Sequence, residues 1–433
     1  MTEREFATDI VRRLQEAGHI AYWAGGCVRD ELLGLVPHDY DVATTALPRQ
    51  VQTLFKRCIP VGAEFLVIEV LGPRDANGDW LKVQVATFRS DGIYTGGRRP
   101  DSVEPTTPEQ DALRRDFTIN GLFLDPVTQQ LYDYVDGQAD LAKKVLRAIG
   151  KPRDRFDEDK LRILRAVRLA ARFDLAIDPE TLEAAQEMGP LIRVVSAERI
   201  ADEMRKMLVH PRRTRAVQLF RDVGLIEPIF PELLPSLTER GPTADHVTEW
   251  EYLLRVMENL VAKPGHEIDF PLAMAVLLHR LDAPTTKANR ETPALRICRR
   301  LKLANVETER ILWLLHHQRS LLTLAEDPPH HWKPLLASPG IADLMAFHRA
   351  LVLAQNLPID SLELARERRA TYPIEVLNPP PLITGDDLRT LGLSPGPRFK
   401  TILDTIRNAQ LDGTITTTEA ALAQVREMTC GSP

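Results

Sequence analysis

The chain is poor in cysteine. Its four cysteines (Cys27, Cys58, Cys298, Cys430) are scattered through 433 residues with no CxxC spacing. That pattern excludes a disulfide framework and a cysteine-built zinc site, and it suits a reducing cytoplasm. Long apolar runs are also missing. The best, 271–278, falls well short of the roughly eighteen residues that a membrane-spanning helix needs. There is no internal repeat and no low-complexity tract. The first residues, Met1-Thr2-Glu3-Arg4-Glu5-Phe6, carry acids where a secretory leader would carry a basic and then an apolar stretch.

What is present is an ordinary globular composition, with 44% hydrophobic and 27% charged residues. At 433 residues the chain is expected to form two to four domains. The net charge is −6, which argues against a polyanionic partner until its distribution is considered. Residues 143–172 hold eleven Lys or Arg against four acids. Such a stripe is either a solvated helix face or an electrostatic footprint.

Periodicity divides the chain. Residues 3–17 predict an amphipathic helix carrying Phe6, Ile10, Val11 and Leu14 on one face. Strands are predicted at 19–24, 40–43, 65–71 and 81–88, a helix at 28–33, and helix then strand over 117–124 and 131–134. Residues 1 to about 145 therefore read as mixed α and β. Beyond about 157, helical spacing takes over, with helices predicted at 180–187, 197–208, 214–223, 246–262, 271–280, 293–301, 306–318, 341–354 and 359–370. The proline-rich stretch 373–381 reads as a linker to a small last unit.

Four short constellations carry chemistry. Gly25-Gly26-Cys27-Val28-Arg29 ends a strand with two glycines that let backbone approach a ligand, and Arg29 adds a charged fork. Alone, a glycine pair before a helix is a tight turn. Asp39-Tyr40-Asp41 places two carboxylates at i and i+2, on one side of a strand. They repel unless a divalent cation lies between them, and all-oxygen ligands suit magnesium. Arg114-Arg115-Asp116-Phe117-Thr118-Ile119-Asn120 puts two cations ahead of an apolar helix, where the dipole disfavours them and a ligand would compensate. Asp159 and Arg162 are three apart on a helix, with Arg165 and Arg168 continuing the face. They form either an intrahelical ion pair or an acceptor and donors aimed at a base edge.

In this order the motifs AGGCVRDELLG (24–34), HDYDVATTALP (38–48), VATFR (85–89), RRDFTING (114–121), DYVDG (133–137), RFDEDKLRILRAVRLAARF (155–173) and SAERIADEM (196–204) closely resemble the class II tRNA nucleotidyltransferase and bacterial poly(A) polymerase family of the polymerase-β superfamily. The stretches LITGDDLRTLGLSPGP (382–397) and ILDTIRNAQLDGTI (402–415) resemble the tail of some bacterial members. The resemblance implies an α+β fold: a polymerase-β-like nucleotidyltransferase head with a small mixed sheet, then an all-α neck, body and tail. The implied boundaries are 1–145, 146–215, 216–370 and 371–433. It implies Mg2+ on Asp39 and Asp41, triphosphate contacts from Gly26 and Arg29, and nucleotide binding by Gly25 and Arg114 as well. Arg115 and Asp116 would read the ribose and thereby select ribonucleotides. Asp159 and Arg162 would act as a protein template for CTP and ATP, and Arg165 and Arg168 would back up either the triphosphate or the template. The implied partner is the 3′ end of a tRNA, with no membrane involved, and the implied reaction is CCA addition in the cytoplasm. Addition of CC or A alone, poly(A) synthesis and RNA binding without catalysis are the alternatives.

Three positions depart from the family pattern. Gln84 stands where many members carry a third carboxylate, for which Asp79 or Asp91 would have to substitute. Gly121 replaces an alanine, at about 1 kcal/mol if it is helical. Asp245-His246 and His279-Arg280 look like remnants of a metal-binding HD domain, with Arg280 where its aspartate belongs, so 240–320 is expected to be a helical scaffold without metal. His316, His317, His330 and His331 read as surface or core residues. The stretch Val61-Gly62-Ala63-Glu64-Phe65 lacks the basic pair of the poly(A) polymerases, and residues 90–113 show no truncation. The first feature favours the tRNA enzyme over a poly(A) polymerase, and the second favours complete CCA addition.

Overall fold

A computed structural model describes residues 1–62, 66–75, 78–92, 102–242, 247–262, 265–281 and 291–430. The expected features at Ala63–Phe65, Asp245 and His246, and within 93–101, lie outside the described residues. The chain divides into two compact units, Met1–Pro231 and Glu232–Pro433.

The first unit opens with α1 (Glu3–Glu16), started by a capping box between Thr2 and Glu5. β1 (Ala21–Ala24), α2 (Gly26–Leu32), β2 (Asp41–Thr44), α3 (Pro48–Leu54), β3 (Cys58–Gly62), β4 (Val67–Arg74) and β5 (Trp80–Thr87) follow. Next come β6 (Arg89–Asp91), β7 (Val103–Pro105), α4 (Pro108–Leu113), β8 (Leu122–Leu124) and β9 (Leu131–Asp133). Seven strands form one sheet in the order β3-β4-β5-β2-β1-β8-β9. The β2–β5 pair is parallel and the other pairs are antiparallel, so the sheet is mixed.

Alternation explains its two faces. Along β5, Leu81, Val83 and Val85 are buried while Lys82 and Gln84 are exposed. The buried set joins Phe6, Ile10, Val11 and Leu14 of α1, together with Val42, Ile68 and Val70, in one core. The opposite face carries a smaller apolar cluster of Ala24, Ala43, Phe88, Ala112 and Phe123, and on β2 and β5 it presents the polar register partners Asp41 and Gln84.

The unit continues with α5 (Gly137–Ala142), β10 (Val145–Leu146), α6 (Pro152–Glu158), α7 (Leu161–Phe173), β11 (Ala176–Ile177), α8 (Pro179–Met188), α9 (Ala197–Leu208) and α10 (Arg213–Asp222). α7 buries Leu161, Ile163, Leu164, Ala166, Val167, Leu169, Ala170 and Ala171, so its arginines lie off the core stripe.

The second unit is helical. Its helices include Glu249–Asn259, Phe270–Leu278, Pro293–Arg300, Asn305–His317, Pro329–Ala337, Ile341–Ala354 and Asp360–Thr371. All of Phe270–Leu278 is buried, which accounts for the most apolar run in the chain. Ile383, Leu388, Ile402, Ile406, Ile415, Ala421 and Val425 form a separate small core near the C-terminus. Among the described residues no single helix is long and apolar enough to cross a membrane.

The structure corrects several expectations. Asp39 lies in the loop before β2, so the two aspartates do not share a strand. Residues 117–124 contain a single 3-10 turn, Thr118–Asn120, rather than a helix. Arg114 and Arg115 follow the C-terminus of α4, where cations are favoured, so the argument from an unfavourable dipole fails. Gly121 follows that 3-10 turn, and a Cβ there would meet Val135 Cγ2 at 2.6 Å. Its reason is steric, and the helical cost does not apply. The basic segment is broken at Asp159, whose φ of −152° is extended. Asp159 and Arg162 are therefore not on one helix. The helix Pro329–Ala337 and the parallel pair β10–β11 were not expected, and the 373–381 linker contains a short helix, Ile374–Leu377.

Candidate active site

A cleft of about 1010 Å³ opens in the first unit over the face of the sheet that presents Asp41 and Gln84, and Gly25, Gly26, Arg29, Asp39, Asp41, Arg114, Arg115, Asp116, Asp159, Arg162, Arg165 and Arg168 all line it. The twelve residues assigned to the site from the sequence thus line one cleft. The cleft wall carries ten Lys or Arg against six Asp, so a positive surface is built into a chain of net charge −6.

One end is built by the sheet. Gly25 follows β1 with φ +74°, a conformation that costs a side-chain-bearing residue about 1–2 kcal/mol. A Cβ there would meet Arg115 Nη1 at 2.8 Å. Gly25→Ala is therefore expected to destabilise the chain by about 1–2 kcal/mol and to displace Arg115. Urea unfolding and the KM for nucleotide would both report it.

Asp39 and Asp41 face the cleft beside this turn, with Asp41 open to solvent on one side and backed by protein on the other. Partial burial, then repulsion by Asp39, pushes the Asp41 carboxyl up to about 6, while Arg115 opposes the rise. Gln84 is the register partner of Asp41 across the parallel pair, on the same face. Of the expected substitutes for a third acid, Asp91 lines the same cleft but is neutralised by arginines, and Asp79 is not among the lining residues. Asp79 sits in the β4–β5 turn, where its N–H donates to Asp75, five residues along the strand from Gln84. Asp91 is paired with Arg89 at 3.1 Å and with Arg114 at 3.4 Å.

The middle of the cleft is a charge lattice. Asp111, 1% exposed, accepts from Arg114 Nη2 at 2.7 Å and from Arg115 Nη2 at 2.9 Å. Burial pushes its carboxyl up, but the pull of Arg115 and Arg114 outweighs that and leaves it below the usual range. Asp116 accepts from Phe117 N and Asn120 Nδ2 through Oδ1, and from Arg165 Nε and Nη2 through Oδ2. Burial opposes ionisation here too, and Arg165 overcomes it, so Asp116 is held far below its ordinary value. With both oxygens filled, a ribose hydroxyl would have to displace a partner. Arg29 is buried, donates to Asp30 at 2.6–2.8 Å and to Asn120 at 2.5 Å, and lies over the Phe173 ring. It anchors the floor of the cleft more than it projects into it.

At the far end Asp159 caps Leu161 N and is gripped by Arg199 through two bonds of 2.6 and 3.2 Å. Arg162 pairs with Glu158, and Arg168 donates to Glu203 at 2.5 Å. Asp159 and Arg162 thus each have a different partner from the one expected. Sequence reasoning missed Asp111, Arg199 and Glu203, and it named Asn120 without giving it a role. Asp111 precedes Arg114 and Arg115 at i+3 and i+4, a legible helical pairing. Arg199 and Glu203 come from α9 and pair over sequence gaps of 40 and 35 residues, for which no local signal exists.

In the second unit Arg280 forms a two-pronged pair with Glu249 at 2.5 and 2.7 Å, and the buried His279 donates its Nδ1–H to Val276 O at 2.8 Å. Burial holds His279 down at about 4. His316 and His331 are exposed and His317 and His330 half-buried.

Comparison with known proteins agrees with this geometry. Residues 21–147 match the family model described as Poly A polymerase head domain. Residues 174–237 match the one described as Probable RNA and SrmB-binding site of polymerase A. The chain is 32% identical to a CCA-adding enzyme of Lactobacillus johnsonii, over 96% of each chain. It is 36% identical to poly(A) polymerase I of Haemophilus influenzae, over 54% of this chain and 53% of that one. The crystal structure of the Bacillus stearothermophilus CCA-adding enzyme in complex with CTP superposes with a TM-score of 0.73 at 28% identity, covering 99% of both chains. A polymerase-β-like head, a basic cleft with an aspartate pair at its mouth, and similarity that runs from end to end lead to one conclusion: the chain is a nucleotidyltransferase and belongs to the family of the class II tRNA nucleotidyltransferases and bacterial poly(A) polymerases.

Proposed function

We propose that the chain adds CCA to the 3′ end of tRNA, without a nucleic-acid template, using CTP and ATP in the cytoplasm. The observation that carries this is the meeting, in one basic cleft, of the Asp39–Asp41 pair with Asp159 and Arg162. Similarity to a CCA-adding enzyme over nearly the whole length favours it over the poly(A) polymerases, whose match spans about half the chain. We assign 1–145 to the head, 146–215 to the neck, 216–370 to the body and 371–433 to a tRNA-binding tail.

The donor set fits magnesium. Two adjacent carboxylates, one raised to about 6 by partial burial and by its neighbour, are stabilised by a divalent cation between them. Bound there, magnesium supplies charge neutralisation at the phosphates and a more acidic attacking hydroxyl. The chain itself does the positioning. The Gly25–Gly26 turn lets triphosphate oxygens approach backbone. Asp111 holds Arg114 and Arg115 facing the cleft. Asp159 offers acceptors and Arg162 donors to the Watson–Crick edge of the base. The RNA 3′-hydroxyl then attacks the α-phosphorus, the bond to the β-phosphate oxygen breaks, and pyrophosphate leaves. Holding these groups in line is the main catalytic contribution.

Arg199 orients Asp159, so Arg199→Ala is expected to lower discrimination of CTP and ATP against GTP and UTP by about tenfold. Misincorporation assays would measure this. The reading as a whole is tested by extending tRNA transcripts ending before CCA, after C and after CC, with CTP and ATP separately and together. Growth by CCA supports it. Growth by C alone, by A alone or by a long A tail assigns one of the alternatives, and no growth leaves RNA binding.

A further inference from the structure

The loop that carries the aspartate pair is held from outside the sheet. Glu3, in the first turn of α1, accepts the backbone N–H of Tyr40 at 3.2 Å. Tyr40 is the residue between Asp39 and Asp41. Its hydroxyl donates to Glu31 Oε1 at 2.6 Å, and Arg4 Nε donates to the same oxygen at 2.8 Å. Glu5 is committed to the capping box, so Glu3 is the acid of that turn left to reach the loop. Glu3 also shares the field of the pair: Asp39 pushes its carboxyl in the same direction as burial does, and Glu3 in turn pushes Asp41 up.

The strand position beside Asp41 is the uncharged Gln84, and neither Asp79 nor Asp91 replaces its missing charge. We propose that Glu3 is a positioning residue for the Asp39–Asp41 pair, fixing the backbone between them and supplying from α1 the third negative charge that position 84 lacks. The inference rests on the reading of Asp39 and Asp41 as metal ligands. A carboxylate that anchors a neighbouring N–H while adding to the local negative potential raises cation affinity without binding the cation itself.

Two substitutions separate these contributions. Glu3→Gln keeps an acceptor for Tyr40 N and removes the charge. Glu3→Ala removes both. Mn2+ binding to the full chain without nucleotide, followed by the free Mn2+ resonance signal, reads affinity independently of turnover, and a magnesium titration of CTP addition reads KM and kcat. Glu3→Gln is expected to weaken Mn2+ binding by about fivefold, with the lost rate recovered at high magnesium. Glu3→Ala is expected to weaken it similarly and to keep a lowered kcat at saturating magnesium. Adding Gln84→Glu to Glu3→Gln is expected to restore Mn2+ affinity. Mn2+ affinity within twofold of the parent in Glu3→Gln, or equal saturated kcat in the two variants, overturns the proposal. An Asp39→Asn/Asp41→Asn chain that binds Mn2+ like the parent removes the underlying reading instead, and so distinguishes the two failures.

Discussion

Asp41→Asn is expected to reduce nucleotide addition by at least about 10³-fold at every magnesium concentration, equivalent to about 4 kcal/mol of transition-state stabilisation. The asparagine is nearly isosteric and keeps its place beside Gln84 in the β2–β5 pair, so the loss reports charge rather than packing. A second effect has the opposite sign. The native Asp41 carboxyl stands at about 6, raised by partial burial, Asp39 and Glu3, against about 3.9 in an unfolded chain. An acid raised on folding lowers stability once it ionises. The penalty is absent below pH about 4, grows through the interval and is complete above about 6. Solvent reaches this carboxylate, so the full shift is discounted to about 1 kcal/mol. Without magnesium, Asp41→Asn should therefore melt a few degrees higher than the parent at pH 8 and no higher near pH 4. A variant that is slower yet more stable locates the strain in the pair itself. A variant that retains activity would remove Asp41 from the site.

Long amphipathic helices were the most legible part of the fold. Those expected at 197–208 and 341–354 are Ala197–Leu208 and Ile341–Ala354, because an apolar stripe repeated over three or more turns has no competing interpretation. Short elements were not legible. β10 and β11 have two residues each and exist because their backbones pair with each other. The helix Pro329–Ala337 carries a proline at its start and Pro334 within it, which reads as a break. At Asp159 the apolar spacing of the flanking helices runs on across the extended residue, so periodicity joins what a capping carboxylate divides.

The site was legible as an inventory and not as a wiring diagram. Motif order brought twelve residues to one cleft, but the charge partners of Asp159, Arg168 and Asp116 come from other elements. Local spacing suggested Asp159 with Arg162, whereas the fold offered Asp159 a two-bond partner on α9. Local spacing does pair Asp111 with Arg114 and Arg115, and Glu158 with Arg162, but where carboxylates from different elements meet the same arginines, backbone geometry decides the pairing.

The Asp116–Arg165 bridge is the longest-range consequence of that wiring. Asp116, 8% exposed, receives Arg165 Nε at 2.7 Å and Nη2 at 2.6 Å, and through Asn120 it connects to Arg29 and Asp30. It ties the glycine turn of the sheet to α7. Arg165→Met removes the guanidinium and strands a buried carboxylate that retains only Asn120 and Phe117 N, which should cost about 3–4 kcal/mol. Asp116→Asn should cost less, about 2 kcal/mol, because Arg165 lies partly open to the cleft and can turn to water. The pH dependence separates the two. Asp116 is depressed on folding, so its contribution is complete above the unfolded value of about 3.9 and is lost as pH falls through the folded value. The stability gap between the parent and Asp116→Asn should be constant from pH 6 to 8 and narrow below about 4. In Arg165→Met burial is no longer outweighed and the carboxyl rises, so the penalty for its buried charge is full near pH 7 and is relieved as the carboxyl protonates, and the stability gap to the parent should already narrow between pH 7 and pH 4. Urea titrations at pH 7 and pH 4 measure both effects. If Arg165→Met unfolds with the parent at both pH values, the bridge contributes nothing to holding α7 over the sheet. In that case the KM for CTP should also be unmoved, because no displaced helix would alter the distance between the glycine turn and the arginines that face it.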